Sequence, residues 1–254
     1  MRIIRDPRAW KETLRDQRKK TVSIGFVPTM GALHRGHMSL IERSIEENDV
    51  TAVSIFLNPT QFNNADDLKN YPSTFEEDCR LLEAIGVELL FTPTYDDIYA
   101  DGFTYQVNET ELTGRFCGAA RPGHFTGVLT IVLKLLILTA ADRAYFGEKD
   151  WQQYRLIDGM AKSLFLDTQI IPCELIREES GLALSSRNAL LSLAQRKIAP
   201  YFHQIISSGI TIDQMEQLLV EHGFRVDYIE EWEDRLLAAV FLGEVRLIDN
   251  VRIS

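Results

Sequence analysis

Cysteine is scarce in this chain of 254 residues: Cys79, Cys117 and Cys173 are odd in number, far apart and never paired as CxxC. That pattern excludes a disulfide framework and a cysteine-ligated zinc site, and predicts buried free thiols of a reducing compartment. Basic charge is also short. The 27 lysines and arginines face 37 aspartates and glutamates, for a net charge of −10. Such a balance argues against nucleic acid or a membrane surface as partner, although a local basic cluster can still hold a small anion. No long apolar run occurs. The most apolar stretch, "VLTIVLKLLILTAA" (128–141), is interrupted by Lys134. It is too short to span a bilayer and reads as a buried helix. The first 20 residues hold no apolar core of a secretory signal, so a cytoplasmic location is expected. Histidine is rare too, five in all, yet His34 and His37 stand three residues apart.

What is present alternates. "TVSIGFV" (21–27) and "VTAVSIFL" (50–57) are β-branched and aromatic-rich, bounded by Pro28 and by Asn58-Pro59. Both read as buried strands. Between them Met38, Ile41 and Ile45 fall at i, i+3, i+7 and give one apolar helical face. This unit has the length of a parallel crossover. A helix over "STFEEDCRLLEAIG" follows, with Ser73 and Glu76 at capping-box spacing and Gly86 as its stop. Then come a strand at 87–93, a helix at 127–140, a strand at 143–147, a helix at 151–165 and a strand at 168–175. Five strands interleaved with helices predict a doubly wound α/β domain on a parallel sheet. Beyond it the texture changes. Ser192 and Gln195 are placed to cap a helix running to Ser207, "TIDQMEQLLVEHG" reads as another helix, and 225–232 and 237–250 read as strands. A smaller α+β domain of roughly 75 residues is expected, dividing the chain into 1–175 and 176–254.

In a doubly wound sheet, ligands bind beyond the carboxyl ends of the strands. Three segments lie at such ends. In "VPTMGALHRGH" (27–37), Gly31 permits close backbone approach, and His34 and His37 share a face of the first helical turn. The free N–H groups and dipole of that turn favour an anion. Two imidazoles added there suit phosphate oxygens whose charge grows in a transition state. The plain alternative is that one histidine caps and the other packs; the adjoining Pro-Thr-Met-Gly favours function. A P-loop is excluded because His37-Met38 stands where Lys-Ser/Thr is required, and no GxGxxG follows the first strand. HxxH is not HExxH, and no third ligand is evident. In "NPTQFNNADDL", the Asn58 and Gln61 amides can bind hydroxyl and carboxylate oxygens, although Asn-Pro is also common turn punctuation. In "AYFGEKDWQQ", Gly147 leaves a strand and Glu148, Lys149, Asp150 and Gln153 follow. Lys149 can reach a phosphate, and Asp150 can orient it or help hold a metal; the alternative is a charged turn that Asp150 caps. A fourth piece, "LALSSRN", offers two hydroxyls and a guanidinium suited to phosphate, or a simple serine N-cap. "RPGHFTGV" adds Arg121 and His124 before a helix, with a turn plus cap as its alternative.

"PTMGALHRGH" resembles the HIGH motif of adenylate-forming Rossmann-like enzymes, and "LSSRN" sits where those enzymes carry their KMSKS-type loop. Together with "SIFLNPTQF", "RPGHFTGV", "YFGEKDWQQ" and the terminal "RLIDN", all in order from Ile3 nearly to the end, the chain resembles the pantothenate synthetase (pantoate–β-alanine ligase) family. The resemblance implies a Rossmann-like domain with a small C-terminal lid, acting on pantoate, β-alanine and ATP with Mg2+. Pantoate attacks the α-phosphate, giving pantoyl adenylate and pyrophosphate; the β-alanine amine then displaces AMP. It also implies cytoplasmic homodimers joined mainly through the N-terminal domain. By motif position, Met30, Gly31, Ala32, Leu33, His34, Arg35, Gly36 and His37 line the ATP site. His34, His37 and Lys149 are implied as the catalytic set, with His37 the proton donor. Gly147, Glu148, Lys149 and Asp150 meet the ribose and phosphates, with Mg2+ near Asp150, and Ile176 meets the adenine by backbone. Leu184, Ser185, Ser186 and Arg187 close over the phosphates. Gln61 and Gln153 hold pantoate, with Asn58 beside them, Gln61 near the β-alanine path, and Arg121 near the phosphate or carboxylate end.

The chain departs from the family's usual pattern at Ser73, where arginine is usual, in the apolar run 135–138, and in a C-terminal domain shorter than usual. Competing functions fare less well. A nucleotidylyltransferase of the same superfamily needs a basic pocket for its second substrate, where the uncharged Gln61 and Gln153 fit pantoate better. An aminoacyl-tRNA synthetase would need a basic face. A catalytically silent nucleotide-binding protein would not need His34, His37, Lys149 and "SSRN" together.

Overall fold

The structure is a computed structural model and describes residues 1–253. The chain forms β1 (Arg2–Ile4), α1 (Pro7–Arg18), β2 (Ile24–Thr29), α2 (Arg35–Glu47), β3 (Val50–Ile55), α3 (Ala65–Lys69), α4 (Phe75–Ile85), β4 (Leu89–Phe91) and α5 (Tyr95–Ile98). It continues through α6 (Phe116–Ala120), α7 (His124–Thr139), β5 (Arg143–Gly147), α8 (Trp151–Ser163) and β6 (Gln169–Cys173). These six strands make one sheet in the order β1-β4-β3-β2-β5-β6, every pair parallel. The expected doubly wound α/β domain is present, with one strand more than the sequence announced. β1 has only three residues, too few to show a period, and exists by pairing Arg2–Ile4 with Leu89–Phe91.

Both faces of the sheet are covered, so its strands are apolar throughout rather than alternating. Ile24 and Phe26 of β2 enter one core with Trp10, Leu129 and Ile157. Val27 enters the other with Leu40, Ile41 and Leu82. The first strand runs to Thr29 and does not stop before Pro28. β5 pairs with β2 only at Gly25 and Phe26, so Pro28 lies beyond that ladder, where no N–H is required. α7 is buried along most of its length. Lys134 is accommodated by donating to Ile98 O at 2.9 Å and Asp101 Oδ1 at 3.0 Å.

Ser73 does not cap α4. The helix begins one residue later behind Thr74, whose hydroxyl donates instead to Asp78 Oδ1 at 3.1 Å. Gly86 does end it, in the left-handed conformation at φ +96. Cys117 and Cys173 are buried and free as expected, whereas Cys79 is only half-buried. No helix among the described residues is long and apolar enough to cross a membrane.

The remaining chain forms α9 (Leu193–Ile198), α10 (Pro200–Ile206), α11 (Ile212–Glu221) and three antiparallel strands, β7 (Arg225–Trp232), β8 (Arg235–Leu242) and β9 (Val245–Arg252), in that order. Its own apolar core includes Phe202, Leu219, Ala238 and Val240. The Ser192–Gln195 capping box forms, but the single helix expected to reach Ser207 is broken in two at Pro200, which has no N–H to continue it.

The turn after β3 is packed directly against α7. A Cβ added at Gly127 would lie 2.4 Å from Thr60 O and 2.7 Å from Gln61 N. Gly127→Ala is therefore expected to lower stability by about 1–3 kcal/mol in denaturant unfolding. An unchanged midpoint would show that the turn yields freely.

Candidate active site

The carboxyl ends of β2, β3, β5 and β6 open on one cavity of about 240 Å³. Met30, His34, Gly36, His37, Asn58, Gln61, Arg121, Gly147, Lys149, Asp150, Gln153, Ile176, Leu184, Ser185, Ser186 and Arg187 all line it. Gly31, Ala32, Leu33, Arg35 and Glu148 do not. The first three form the turn beneath it, Arg35 is exposed, and the Glu148 carboxylate is drawn away to Arg235 at 2.7 Å.

The histidine turn is built by local strain and a buried acid. Gly31 and Ala32 both adopt positive φ, +82 and +50, a conformation that costs an alanine roughly 1–2 kcal/mol. Asp78, 1% exposed, offsets that cost: its carboxylate accepts from Ala32 N–H and Leu33 N–H, each at 2.9 Å. His34 is the N-cap of α2. Its Nδ1 accepts from Gly36 N–H at 3.1 Å, and His37 Nδ1 accepts from His34 N–H at 3.3 Å. The two rings lie 4.1 Å apart between centroids. Gly36 is required here, since a Cβ would stand 2.9 Å from His34 Cε1. The plain alternative of a capping histidine is thus realised without removing either ring from the cavity. Accepting at Nδ1 puts each proton on Nε2. Burial, and then the neighbouring Lys149, lower the His34 pKa. Burial, and then His34, push His37 down to about 3. Both rings are therefore neutral N–H donors in the free protein.

The amides divide by role. Asn58, 1% exposed, is committed to protein: Oδ1 accepts from Tyr99 and Thr60 hydroxyls at 2.9 and 3.0 Å, and Nδ2 donates to Gln61 Oε1 at 3.1 Å. It orients Gln61, whose Nε2 lies 3.0 Å from Met30 Sδ. In the pair Gln152-Gln153, Gln152 is buried and holds Leu112 O and Arg115 O, each at 2.8 Å, leaving Gln153 to the cavity.

The charged groups converge from three elements. Lys149 Nζ is 3.7 Å from Asp150 Oδ1. Asp150 holds the N-cap position of α8 but makes no side-chain capping bond, so its carboxylate is not spent on the helix. Ser185 does cap a short turn, accepting from Arg187 N–H at 3.2 Å. The segment from Leu184 to Arg187 lies docked: Arg187 Nη2 reaches Asp67 Oδ2 at 2.9 Å, and Ser186 Oγ reaches Tyr71 OH at 3.3 Å. Arg121 is half-buried beside His124, which donates from Nδ1 to Gln61 O at 2.8 Å and accepts from Arg121 at 3.1 Å. Burial and the Arg187 charge bring Arg121 down to about 10. Burial and Arg121 push His124 to about 3.

Asp78, Tyr71 and Asp67 were not singled out from the sequence. Asp78 sits among acidic residues of "FEEDC", and only its position on the buried face of α4, one turn before Leu82, marks it. Nothing local marks Asp67, whose partner is 120 residues away.

A profile of the pantoate-beta-alanine ligase family matches residues 2–252. The pantothenate synthetase of Coxiella burnetii (strain Dugway 5J108-111) is 48% identical over 236 residues, 92% of this chain and 91% of that one. That of Bdellovibrio bacteriovorus is 46% identical over 254 residues, 99% of each chain, so the short C-terminal region has a counterpart there. Among solved structures, the Francisella tularensis pantoate-beta-alanine ligase, complexed with beta-gamma ATP and beta-alanine, superimposes with a TM-score of 0.94 at 41% identity, covering 99% of this chain and 97% of that one. The Thermus thermophilus pantothenate synthetase gives 0.90 at 37% identity, covering 99% of each. The chain belongs to the pantoate–β-alanine ligase family. It is an ATP-dependent enzyme of pantothenate formation.

Asp78→Ala strands the part-buried N–H groups of Ala32 and Leu33. It should cost about 1–3 kcal/mol of stability and raise the KM for ATP; a wild-type KM would show that the turn holds its shape unaided. The neutral rings give a pH dependence. For His37 and His124 the folded pKa is about 3, below the ordinary 6.5, so the unfolded chain binds more protons in between. The stability they contribute is full above pH 6.5 and is lost as pH falls toward 3, by up to about 1.4 kcal/mol per pH unit for each ring. The drop in unfolding free energy from pH 7 to pH 5 should be smaller in His124→Gln than in the unaltered chain; equal drops would mean that the ring is not held neutral.

Proposed function

We propose that this cavity joins pantoate to ATP as pantoyl adenylate and then hands the pantoyl group to β-alanine. One observation carries the reading. Two uncharged amides, Gln61 and Gln153, share a single cavity with two imidazoles, an ammonium and a guanidinium from His34, His37, Lys149 and Arg187. The amides suit the hydroxyl and carboxylate oxygens of pantoate. The N–H donors and cations suit a triphosphate.

In the first step a pantoate carboxylate oxygen bonds to the α-phosphorus while the bond to the pyrophosphate oxygen breaks. Negative charge moves onto the leaving pyrophosphate. His34 and His37 donate from Nε2–H, Lys149 adds its charge, and the Ser185–Arg187 segment closes over the leaving group. A triphosphate beside His37 also favours its protonated form, which lets that ring act as the proton donor. Mg2+ fits without a cage of protein ligands. No group of three or more acidic, His or Cys side chains among the described residues could hold a metal, and magnesium commonly binds one or two carboxylates together with substrate phosphates. Asp150 would supply that carboxylate, and the ion would neutralise phosphate charge. In the second step the β-alanine nitrogen bonds to the acyl carbon, loses a proton, and AMP leaves with the bridging oxygen. A carboxylate alone has no comparable leaving group, and the adenylate must be kept from water. Residues 176–254 are the lid domain, with Leu184–Arg187 as the part that covers the phosphates.

We assign the backbone of Ile176 to adenine, and Arg121 to the phosphate or carboxylate end of a substrate. The enzyme is assigned as a cytoplasmic homodimer. Its free thiols suit the cytoplasm, and a second copy would cover exposed apolar side chains of the larger domain such as Tyr105, 78% exposed.

With ATP and pantoate, pyrophosphate should be released; adding β-alanine should yield AMP and pantothenate. Pyrophosphate release that is independent of pantoate would sink the assignment. His37→Ala should slow the first step by roughly 10²-fold or more, the usual loss for one electrostatic stabiliser; a near-normal rate would remove His37 from the mechanism.

A further inference from the structure

The terminal motif RLIDN has no part in the chemistry just described, yet its asparagine is one of the most constrained side chains in the molecule. Asn250 lies on β9 and is 4% exposed. Its Nδ2 reaches out of the small sheet and donates to Glu148 O at 2.9 Å and to Lys149 O at 3.1 Å. Those are the carbonyls of the two peptide groups flanking the Lys149 Cα. The Asn250 Oδ1 accepts from Arg235 Nη1 at 2.5 Å, which fixes the face that the amide presents. Arg235, also 4% exposed, places its other arm 2.7 Å from Glu148 Oε2 and stacks its guanidinium 3.9 Å from the Trp151 ring centroid. The residues before and after the Lys149–Asp150 pair are therefore held from the C-terminal sheet.

The neighbour of Asn250 faces the other way, as successive strand residues do. Asp249, 3% exposed, binds both arms of Arg177 at 2.6 and 2.9 Å. Arg177 bridges to Ala183, and so anchors the root of the hairpin that leads into Ser185–Arg187. Two consecutive residues of one strand thus grip the lysine turn and the base of the phosphate-covering segment.

We propose that Asn250 is a positioning residue for Lys149, and that the Asp249–Asn250 pair sets the spacing between that ammonium and the Ser185–Arg187 segment. This rests on the role proposed above for Lys149. The test is pantoate-dependent pyrophosphate release by the full-length chain and by Lys149→Ala, Asn250→Ala, Asn250→Asp and Leu219→Ala, each alongside thermal unfolding. In Asn250→Ala, kcat should fall roughly 10- to 10²-fold, as misplacement by about an ångström does, while the KM for pantoate changes less than about 3-fold. Asn250→Asp is nearly isosteric but turns an acceptor toward two carbonyls, so it should lose as much; a residue that merely fills space would tolerate it. Leu219→Ala, in the small core, should lower Tm and leave kcat near normal. Loss in Lys149→Ala with full activity in both Asn250 variants overturns the clamp alone. Full activity in all three removes the role of Lys149 and the clamp with it. Asn250 variants that track Leu219→Ala, losing Tm but not kcat, also overturn the proposal.

Discussion

A single buried carboxylate underlies the geometry of the cavity. The backbone leaving β2 must reverse sharply to start α2, and it does so through two successive residues of positive φ, one of them an alanine. Asp78 holds that turn by accepting from the two N–H groups that the strained conformation exposes. The position of His34, the capping exchange with His37 and the need for Gly36 all follow. The acid comes from α4, on the far side of β3 in the chain, so the histidine end of the cavity is only as rigid as the packing of α4 against the sheet.

Electrostatically the site inverts the rest of the molecule. The chain carries ten more acidic than basic groups, yet Lys149, Arg121 and Arg187 converge on one cavity whose lining acids are Asp150, paired with Lys149, and Glu174. The rings beside them are kept neutral by burial and by those cations. Neutral rings contribute directional N–H donors without adding to the repulsion among the cations. The three histidines near the site do not share a tautomer: His34 and His37 accept at Nδ1, whereas His124 donates from it. Each tautomer is set by the backbone group beside the ring.

The C-terminal region has two relations to the larger domain. Through Leu184–Arg187 it covers the cavity, held by Asp67 and Tyr71 across side-chain contacts that are polar and partly open to water. Through β9 and Arg235 it is joined to the turn after β5 by buried hydrogen bonds and a stacked guanidinium. The first kind of contact is cheap to break and the second is not. The C-terminal region thus holds the Leu184–Arg187 segment by weak contacts and the lysine turn by strong ones.

Much of this was legible in the sequence. The parallel α/β layers followed from apolar runs separated by helical periods, and the residues that share the cavity were found partly because strand ends and helix starts carry recognisable local chemistry and partly, as for Met30, Ile176 and Leu184, through the family resemblance. Local signals failed where a group outside the local motif was the deciding partner. β1 is too short to declare itself and needs β4. Ser73 and Glu76 had the spacing of a capping box, but Asp78 captured the hydroxyl of Thr74 and the helix began later. Asn58 lines the cavity, but its amide is bonded to Tyr99, Thr60 and Gln61, a set of partners that Asn-Pro does not announce. Glu148 belonged to the right motif and is turned out of the cavity by Arg235. Periodicity, caps and turn chemistry act within a few residues, so the sequence alone determined the longer elements of the sheet and their order. Which buried polar group finds which partner depends on chain segments brought together from far apart in the sequence, and only the tertiary structure decided that.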